Sequence, residues 1–567
     1  MVATKCREFS DRGAVWRNAL LPRLLRALAI STVGALSVIF FFRYQIANGF
    51  TQLFGDRYDG VIELSILEHW YNVFRGLSHW SQTNYFYPVA GSLGYNDGYF
   101  IYGLIYAAFR TRGVDPFLSS ELVNITVRLI GFATFYIACR RVIQVTWAYA
   151  LLGALLFTIS NNIFIHMFHA QLLSVSFVPL LAVLAYGAFE SLSAERWRGL
   201  LIWGAAFNLL FSACLMTGFY MAWYFAFLAC ATLGTWIAMA GRQRLKTTFA
   251  ALRKKSVPLA ILLCAAVLAN IPFMSLYLPK AIESGMHPYE VVFQYTPSVL
   301  DLVHVGDHNL LYGRLQVLIN EYLRPGFPAF SERTTGFPLL VLFLFACAVV
   351  SLWRQRHLQD STVILFLRAL AVATVATWVL TLHVGPMSPY YLVYHLVPGA
   401  QVVRVVARYQ IFLTAPVIAL AMFYLSQNAS RTTAPILAIV CAFLILEEIN
   451  IASPLSLDRL HELTRLKAVT SPPPECEAFF VSAARPETLF GPVIDGIVSH
   501  NVDAMLIAET THLPTVNGTS TFVPPGWNLV NPESRSYHER VTAWALQNGV
   551  RKLCGLDLKT MHWDLPP

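Results

Sequence analysis

Long apolar runs separated by short polar breaks recur along this chain. Eleven of them approach the roughly 20 residues a helix needs to cross a hydrocarbon core: 27–42, 121–139, 146–162, 171–189, 199–216, 220–240, 257–276, 337–353, 363–383, 409–426 and 434–449. The first, ALAISTVGALSVIFFF, has no small-residue cleavage site behind it and many similar runs ahead, so it reads as a retained membrane helix rather than a secretory signal. Between 199 and 240 the apolar pattern is nearly continuous, and only Thr217-Gly218 offers a turn.

The polar positions gather in three long segments, 43–120, 277–336 and the tail from 450. In the first, Asp56, Asp59 and Glu63 are spaced i, i+3, i+7 among Val61, Ile62, Leu64, Ile66 and Leu67. That spacing predicts a helix with an acidic stripe beside an apolar face, suited to a membrane surface. GYFIYGLIYAAFR (98–110) is too short to cross comfortably and is expected to lie in the interface, its aromatic side chains at headgroup depth. From 454 to 567, short apolar runs such as AFFVSA and AMLIAE alternate with turn clusters such as SPPPE and VNGTS. This predicts a small soluble C-terminal α/β domain after a transmembrane domain of residues 1–453.

Composition agrees: 56% of residues are hydrophobic and 13% charged, with a mean hydropathy of +0.53, whereas about 25% are charged in soluble domains. The expected fold class is therefore an α-helical integral membrane protein of about 11 transmembrane helices. Cations fix the expected orientation. Lys5, Arg7, Arg12, Arg17, Arg23 and Arg26 precede the first helix, and the even-numbered turns carry Arg140-Arg141, Arg196, Arg198, Arg242 through Lys255, Arg354, Arg356 and Arg431. The positive-inside rule then puts the N-terminus in the cytoplasm of a multi-pass plasma-membrane protein and the three long segments outside. These anchors account for the net charge of +9, so no nucleic-acid partner is expected. Of nine cysteines, Cys6 falls on the cytosolic side, and only Cys476 and Cys554 share the oxidising side, where they are candidates for a disulfide.

Candidate chemistry lies in the outer segments. GDRYDGVIELSILEHW (55–70) carries Asp56, Asp59, Glu63 and Glu68, followed by His69. A carboxylate there can accept a proton from a hydroxyl, and two within one turn repel, raising one pKa towards that of a useful base. Glu68 and His69 join the substrate-binding candidates. FYPVAGSLGYNDGYF (86–100) supplies Asp97 between Gly-rich turns, as a binding group or simply a turn residue. HMFHAQ (166–171) puts His166 and His169 on one face, where they can ligate a metal, donate to a phosphate, or simply form a hydrogen-bonded pair at a helix end. VPGAQVVRVVARYQIFL (397–413) sets Arg404 and Arg408 at i, i+4, where two guanidiniums clamp a phosphate or anchor a helix end, and Glu332 offers another pole nearby. No residue set has the spacing of a metal site. A divalent cation, magnesium or manganese, would suit hard oxygen ligands at Asp56 and Asp97. Trp527 stands beside two prolines, where a tryptophan is often simple core. There is no Walker A loop and no G-x-S-x-G, which disfavours ATP-driven transport.

A basic N-terminus, one span, an outer segment running from GDRYDG to EHW, then FYP and ND-G-Y resembles the GT-C superfamily of polytopic glycosyltransferases. More narrowly, the order FYPVAGSL, HMFHAQLLSVSFVPL, RTTGFPLL, VPGAQVVRVVARY and LPTVNGTSTFVPPGW is similar to a poorly characterised bacterial branch. The resemblance covers most of the chain. It implies transfer of a sugar, with inversion, from a polyprenyl-phosphate donor to an outer glycan, lipid or protein acceptor. It also implies a catalytic aspartate in the first outer loop, by motif position Asp56, with Asp59 the second choice, and a phosphate leaving group stabilised by Arg404 and Arg408. Two other classes remain open: a transporter or flippase for lipid-linked glycans, which needs polar residues inside facing spans, and a noncatalytic assembly factor on the same fold.

Overall fold

The computed structural model describes residues 23–327, 331–354 and 362–564; Lys5, Cys6, Arg7, Arg12, Arg17 and Arg356 lie outside them. Helix α1 (Arg23–Phe41) is followed by strand β1 (Gln52–Phe54) and helices α2 (Asp59–Phe74) and α3 (Phe100–Arg110). Then come α4 (Pro116–Ile143), α5 (Trp147–Ile165), α6 (Ala170–Ser193), α7 (Trp197–Leu215) and α8 (Phe219–Met239). A basic helix α9 (Arg242–Lys254) leads into α10 (Ser256–Ser284), and α11 (Leu339–Arg354), α12 (Thr362–Leu380), α13 (Arg408–Arg431) and α14 (Ala434–Glu447) complete the helical region. Among the described residues nine of these helices are long and apolar enough to cross a membrane. The two remaining expected runs are helices too, but α11 has 16 residues and α14 has 14. At 1.5 Å per residue the latter spans only about 21 Å of a roughly 30 Å core.

The seam between α7 and α8 falls where Thr217-Gly218 predicts it. Gly218 adopts an extended φ of −156°, and Asp97 accepts the freed Phe219 N–H at 3.0 Å. The backbone N–H groups of Tyr99 and Phe100 donate to Thr217 and Met216 carbonyls, so the ND-G-Y turn seals this break. Gly98 packs so closely against the Met216 carbonyl that a Cβ has no room. Helix α4 begins at Pro116, with Asp115 as its N-cap accepting from Leu118 N–H at 3.1 Å, a few residues before the expected 121. Glu447, at the end of α14, accepts the N–H groups of Leu340 and Val341 at the start of α11, and Glu448 accepts that of Asn161, where helical structure restarts after a break at Ser160 within α5. The carboxylates at span ends thus satisfy helix termini whose donors have no intrahelical partner.

After a short strand β2 (Ser456–Asp458), the tail forms a mixed three-stranded sheet, β3 (Ala478–Ala483), β4 (Leu553–Asp557) and β5 (His562–Asp564), parallel between β3 and β4 and antiparallel between β4 and β5. Helices α15 (Pro492–Thr511) and α16 (Tyr537–Gln547) pack beside it. Cys476 and Cys554 form a disulfide with a Cα–Cα distance of 5.7 Å. Replacing Cys476 by serine is expected to cost about 2–4 kcal/mol, by releasing the closed loop in the unfolded chain. A lower thermal midpoint, matched by wild type in reductant, is the check.

The tail does not stand apart from the helical region. Strand β2 pairs antiparallel with β1, the N–H groups of Phe86 and Tyr87 donate to the Asn517 and Thr515 carbonyls, and Thr515 N–H donates to the Asn84 carbonyl. Helix α15 lies on α2, and its Val502 and Leu506 belong to the same apolar core as Val61, Leu64 and Leu67. The apolar face expected of α2 therefore meets protein rather than lipid. Trp527 packs edge-on against Phe86, with its indole N–H on the Val516 carbonyl, which leaves it in a core.

Candidate functional site

Helix α2 begins at Asp59, so Asp56 precedes the helix rather than sharing its face, which corrects the i, i+3, i+7 expectation. Gly55, at φ +103°, folds the chain back so that Asp56 Oδ1 accepts the N–H groups of Tyr58 at 2.8 Å and Asp59 at 2.7 Å. This is N-capping work, which an aspartate does well because the first turn has unpaired donors. Asp56 is buried, and burial together with the neighbouring Asp59 pushes its carboxyl up to about 6.

Asp59 faces the other way and keeps 43% of its side-chain surface open. Its Oδ2 lies 2.9 Å from His169 Nδ1, and His169 Nε2 lies 2.7 Å from Glu332 Oε1. Glu332 in turn takes Arg408 in a two-pronged grip, Nη2 to Oε1 at 2.7 Å and Nε to Oε2 at 3.1 Å. Four residues chosen from sequence thus form one chain, Asp59–His169–Glu332–Arg408, drawn from α2, the α5–α6 junction, the segment before α11 and the first turn of α13. Both imidazole nitrogens of His169 face carboxylates, which only accept, an arrangement that favours the doubly protonated imidazolium. The four charges alternate in sign and sum to zero.

Electrostatics agree with that state. Burial and Arg408 would lower the His169 pKa, but Glu332 and Asp59 outweigh them and hold it above its ordinary value. Burial works against the Asp59 carboxylate, yet the His169 hydrogen bond and charge, with Arg408, bring its pKa below the usual range. Glu332 falls well below its usual range, because Arg408 and His169 overcome burial. The pH dependence follows by linkage. His169 contributes stability that is fully present below its unfolded value of 6.5 and is lost as pH rises through the higher folded value. Asp59 and Glu332 contribute stability present above unfolded values of 3.8 and 4.5 and lost as pH falls through the lower folded ones. The thermal midpoint of wild type relative to His169→Gln is therefore expected to peak between about pH 5 and 6.5; a difference that is flat from pH 4 to 9 contradicts the chain.

The remaining candidates divide. His166 is buried, its Nε2 3.0 Å from the Thr334 carbonyl and its Nδ1 3.9 Å from Glu332, and burial lowers its pKa to about 4. It props the Glu332 segment as a neutral ring. Tyr220 joins the two arginines, accepting the Arg404 backbone N–H at 2.8 Å while its ring lies 5.7 Å from the Arg408 guanidinium. The Arg404 guanidinium stands over the Tyr295 ring at 5.6 Å, and among the described residues it has no carboxylate or hydrogen-bond partner. Asp97, close enough for Arg408 to lower its pKa against a larger rise from burial, is held as the α8 cap.

Glu68 and His69 are not brought to this chain. Glu68 takes Arg110 through two hydrogen bonds, at 3.0 and 2.9 Å, and Tyr106 at 2.5 Å, fastening α3 to α2. His69 is fully buried, its Nε2 3.2 Å from the Trp80 carbonyl. Helix α2 turns them about 100° per residue away from Asp59. Among the described residues no group of three or more His, Cys, Asp or Glu side chains is arranged to hold a metal ion. Asp56 and Asp97, the candidate ligands of a divalent cation, each accept backbone N–H groups through Oδ1.

Sequence reasoning passed over Tyr220 and Glu121. Glu121 lies in α4, its Oε2 accepting Phe54 N–H at 3.2 Å, and together with burial and Asp59 it pushes the buried Glu63 carboxyl well above its usual range. An acid in the first turns of a predicted span signals Glu121; nothing local distinguishes Tyr220 from other span tyrosines.

No protein-family model and no curated protein matches this chain. Among solved structures it is similar to the oligosaccharyltransferase of Archaeoglobus fulgidus in its apo form, at 12% identity over 93% of this chain and 69% of that one, with a TM-score of 0.49. It is likewise similar to the oligosaccharyltransferase AglB of the same organism in complex with an inhibitory peptide and a dolichol-phosphate, at 12% identity over 93% and 69%, with a TM-score of 0.47.

Proposed function

We propose that this protein is a GT-C-type membrane glycosyltransferase that moves a sugar, with inversion, from a polyprenyl-phosphate donor to an acceptor on the outer side of the membrane. The observation that carries this reading is the chain Asp59–His169–Glu332–Arg408, which ends on an open carboxylate and adjoins, through Tyr220, the unpaired guanidinium of Arg404. In this reaction the acceptor oxygen or nitrogen bonds to the anomeric carbon and its proton passes to Asp59. The bond from that carbon to the phosphate oxygen breaks, and the electron pair leaves with the phosphate. Asp59 also faces the positive charge that develops on the sugar, and Arg404 answers the negative charge on the leaving group.

His169 and Glu332 preorganise both poles. They keep Asp59 ionised and fix Arg408, so Arg404 is left as the cation for the donor phosphate. The acceptor class is a glycan, lipid or protein.

The test is reconstitution in liposomes with radiolabelled polyprenyl-phosphate sugars and a panel of acceptors, comparing wild type with Arg404→Gln. Transfer that falls about 10–100-fold in Arg404→Gln, the loss of one charge-assisted phosphate contact, supports the reading. Donor crossing the bilayer without any transfer by wild type sinks it and supports a flippase. Transfer unchanged in Arg404→Gln removes Arg404 as the phosphate ligand.

A further inference from the structure

Helix α9, RQRLKTTFAALRK, lies between two membrane spans and buries none of its residues. It is joined to α8 by Ala240-Gly241 and to α10 by Lys255, so it must run along the membrane face to which both spans return. That is the face opposite the Asp59–Arg408 chain, since the Asp97 seam lies at the other end of α8. At 100° per residue Leu245, Phe249 and Leu252 fall within one 60° arc. Phe249 is 69% exposed and Leu252 37%. Arg242, Lys246 and Arg253 border this arc on one side, and Arg244 and Lys255 lie towards the other. Lys254 points elsewhere, forming an ion pair with Glu195 at 3.2 Å. No Asp or Glu occurs in the sequence between Glu195 and Glu283.

We propose that α9 is an interfacial anchor that binds anionic phospholipid headgroups, with Leu245, Phe249 and Leu252 sunk among the acyl chains and Arg242, Lys246 and Arg253 reaching the phosphates. The apolar arc selects a bilayer over a soluble polyanion, because an exposed phenylalanine gains nothing from the latter. The bordering cations select anionic over zwitterionic lipid, their long stems lying along the apolar surface while the charged heads reach the headgroup layer. Nothing in this surface depends on the glycosyltransferase reading.

Hydrogen exchange of the full-length protein in nanodiscs tests it, in phosphatidylcholine alone and with phosphatidylglycerol added to about a third of the lipid. Exchange over 242–254 is expected to slow at least about fivefold with phosphatidylglycerol. That difference should vanish in R242Q/K246Q/R253Q and persist in K254Q. A second variant, F249W, reads insertion by a blue-shifted emission in anionic discs. Equal exchange in the two lipids overturns the proposal, as does a lipid effect that survives the triple substitution, or F249W emission at the position of exposed tryptophan. Slowing by inorganic phosphate in phosphatidylcholine discs to the same extent also overturns it, since a free anion would then suffice.

Discussion

Glu332→Gln is expected to reduce sugar transfer by at least about a thousandfold and to destabilise the protein by about 3 kcal/mol, the lower end of the range for breaking a buried ion pair. Within the four-residue series Asp59–His169–Glu332–Arg408, Glu332 has two cationic partners, His169 at 2.7 Å and Arg408 at 2.7 and 3.1 Å. Its side chain is 17% exposed and that of Arg408 7%, so water screens neither charge well. Glutamine keeps the shape and part of the hydrogen bonding but leaves Arg408 uncompensated and removes one of the two negative charges that favour His169 as an imidazolium. The Asp59 carboxylate then loses its ordered neighbour. A double variant separates stability from chemistry. Replacing a buried pair by apolar residues of similar volume is often nearly neutral, so Glu332→Gln combined with Arg408→Met is expected to recover most of the lost thermal midpoint and none of the activity. Chemical denaturation of detergent-solubilised protein, alongside donor-to-acceptor transfer, measures both. Wild-type rates in Glu332→Gln would remove the chain from the mechanism.

Asp59→Asn and Asp56→Asn are expected to part company, the first losing about 10²–10⁴-fold in transfer rate, as removal of a general base does, and the second keeping most of it. Asp56 is 5% exposed, and its Oδ1 already accepts two backbone N–H groups. Asparagine caps a helix about as well as aspartate, so Asp56→Asn leaves the loop in place, whereas Asp56→Ala costs about 0.5–2 kcal/mol. Asp59 keeps 43% of its side-chain surface open, and its replacement removes the proposed proton acceptor while the fold is expected to persist. Single-turnover rates with saturating donor distinguish a lost chemical step from lost binding. Activity that survives Asp59→Asn and disappears in Asp56→Asn would return the role to Asp56, the choice made by motif position alone.

The spans were legible because apolar length is a local property: each run that is expected to cross becomes a helix, and the α7–α8 seam falls at Thr217-Gly218. The shortness of α11 and α14 was less legible, since polar caps such as Glu447 end helices inside apolar stretches. Within the site, the residue types were readable from the sequence, but the pairing was not. Asp59 and Glu332 are 273 positions apart in the chain, yet both lie against His169. Glu68 shows the converse, close to Asp59 in sequence and turned by α2 onto Arg110 instead.

By itself the sequence determined that this is a helical membrane protein with its polar positions gathered in three long segments between apolar runs, because lipid demands long uninterrupted apolar helices and charges outside them declare themselves. It also placed Cys476 and Cys554 together. Only the tertiary structure decided that Asp56 caps a helix while Asp59 opens to the site, that the tail packs on α2, and that His169 stands charged between two carboxylates. Those outcomes depend on which donors and acceptors folding brings within 3 Å, and neighbours along a chain do not carry that information.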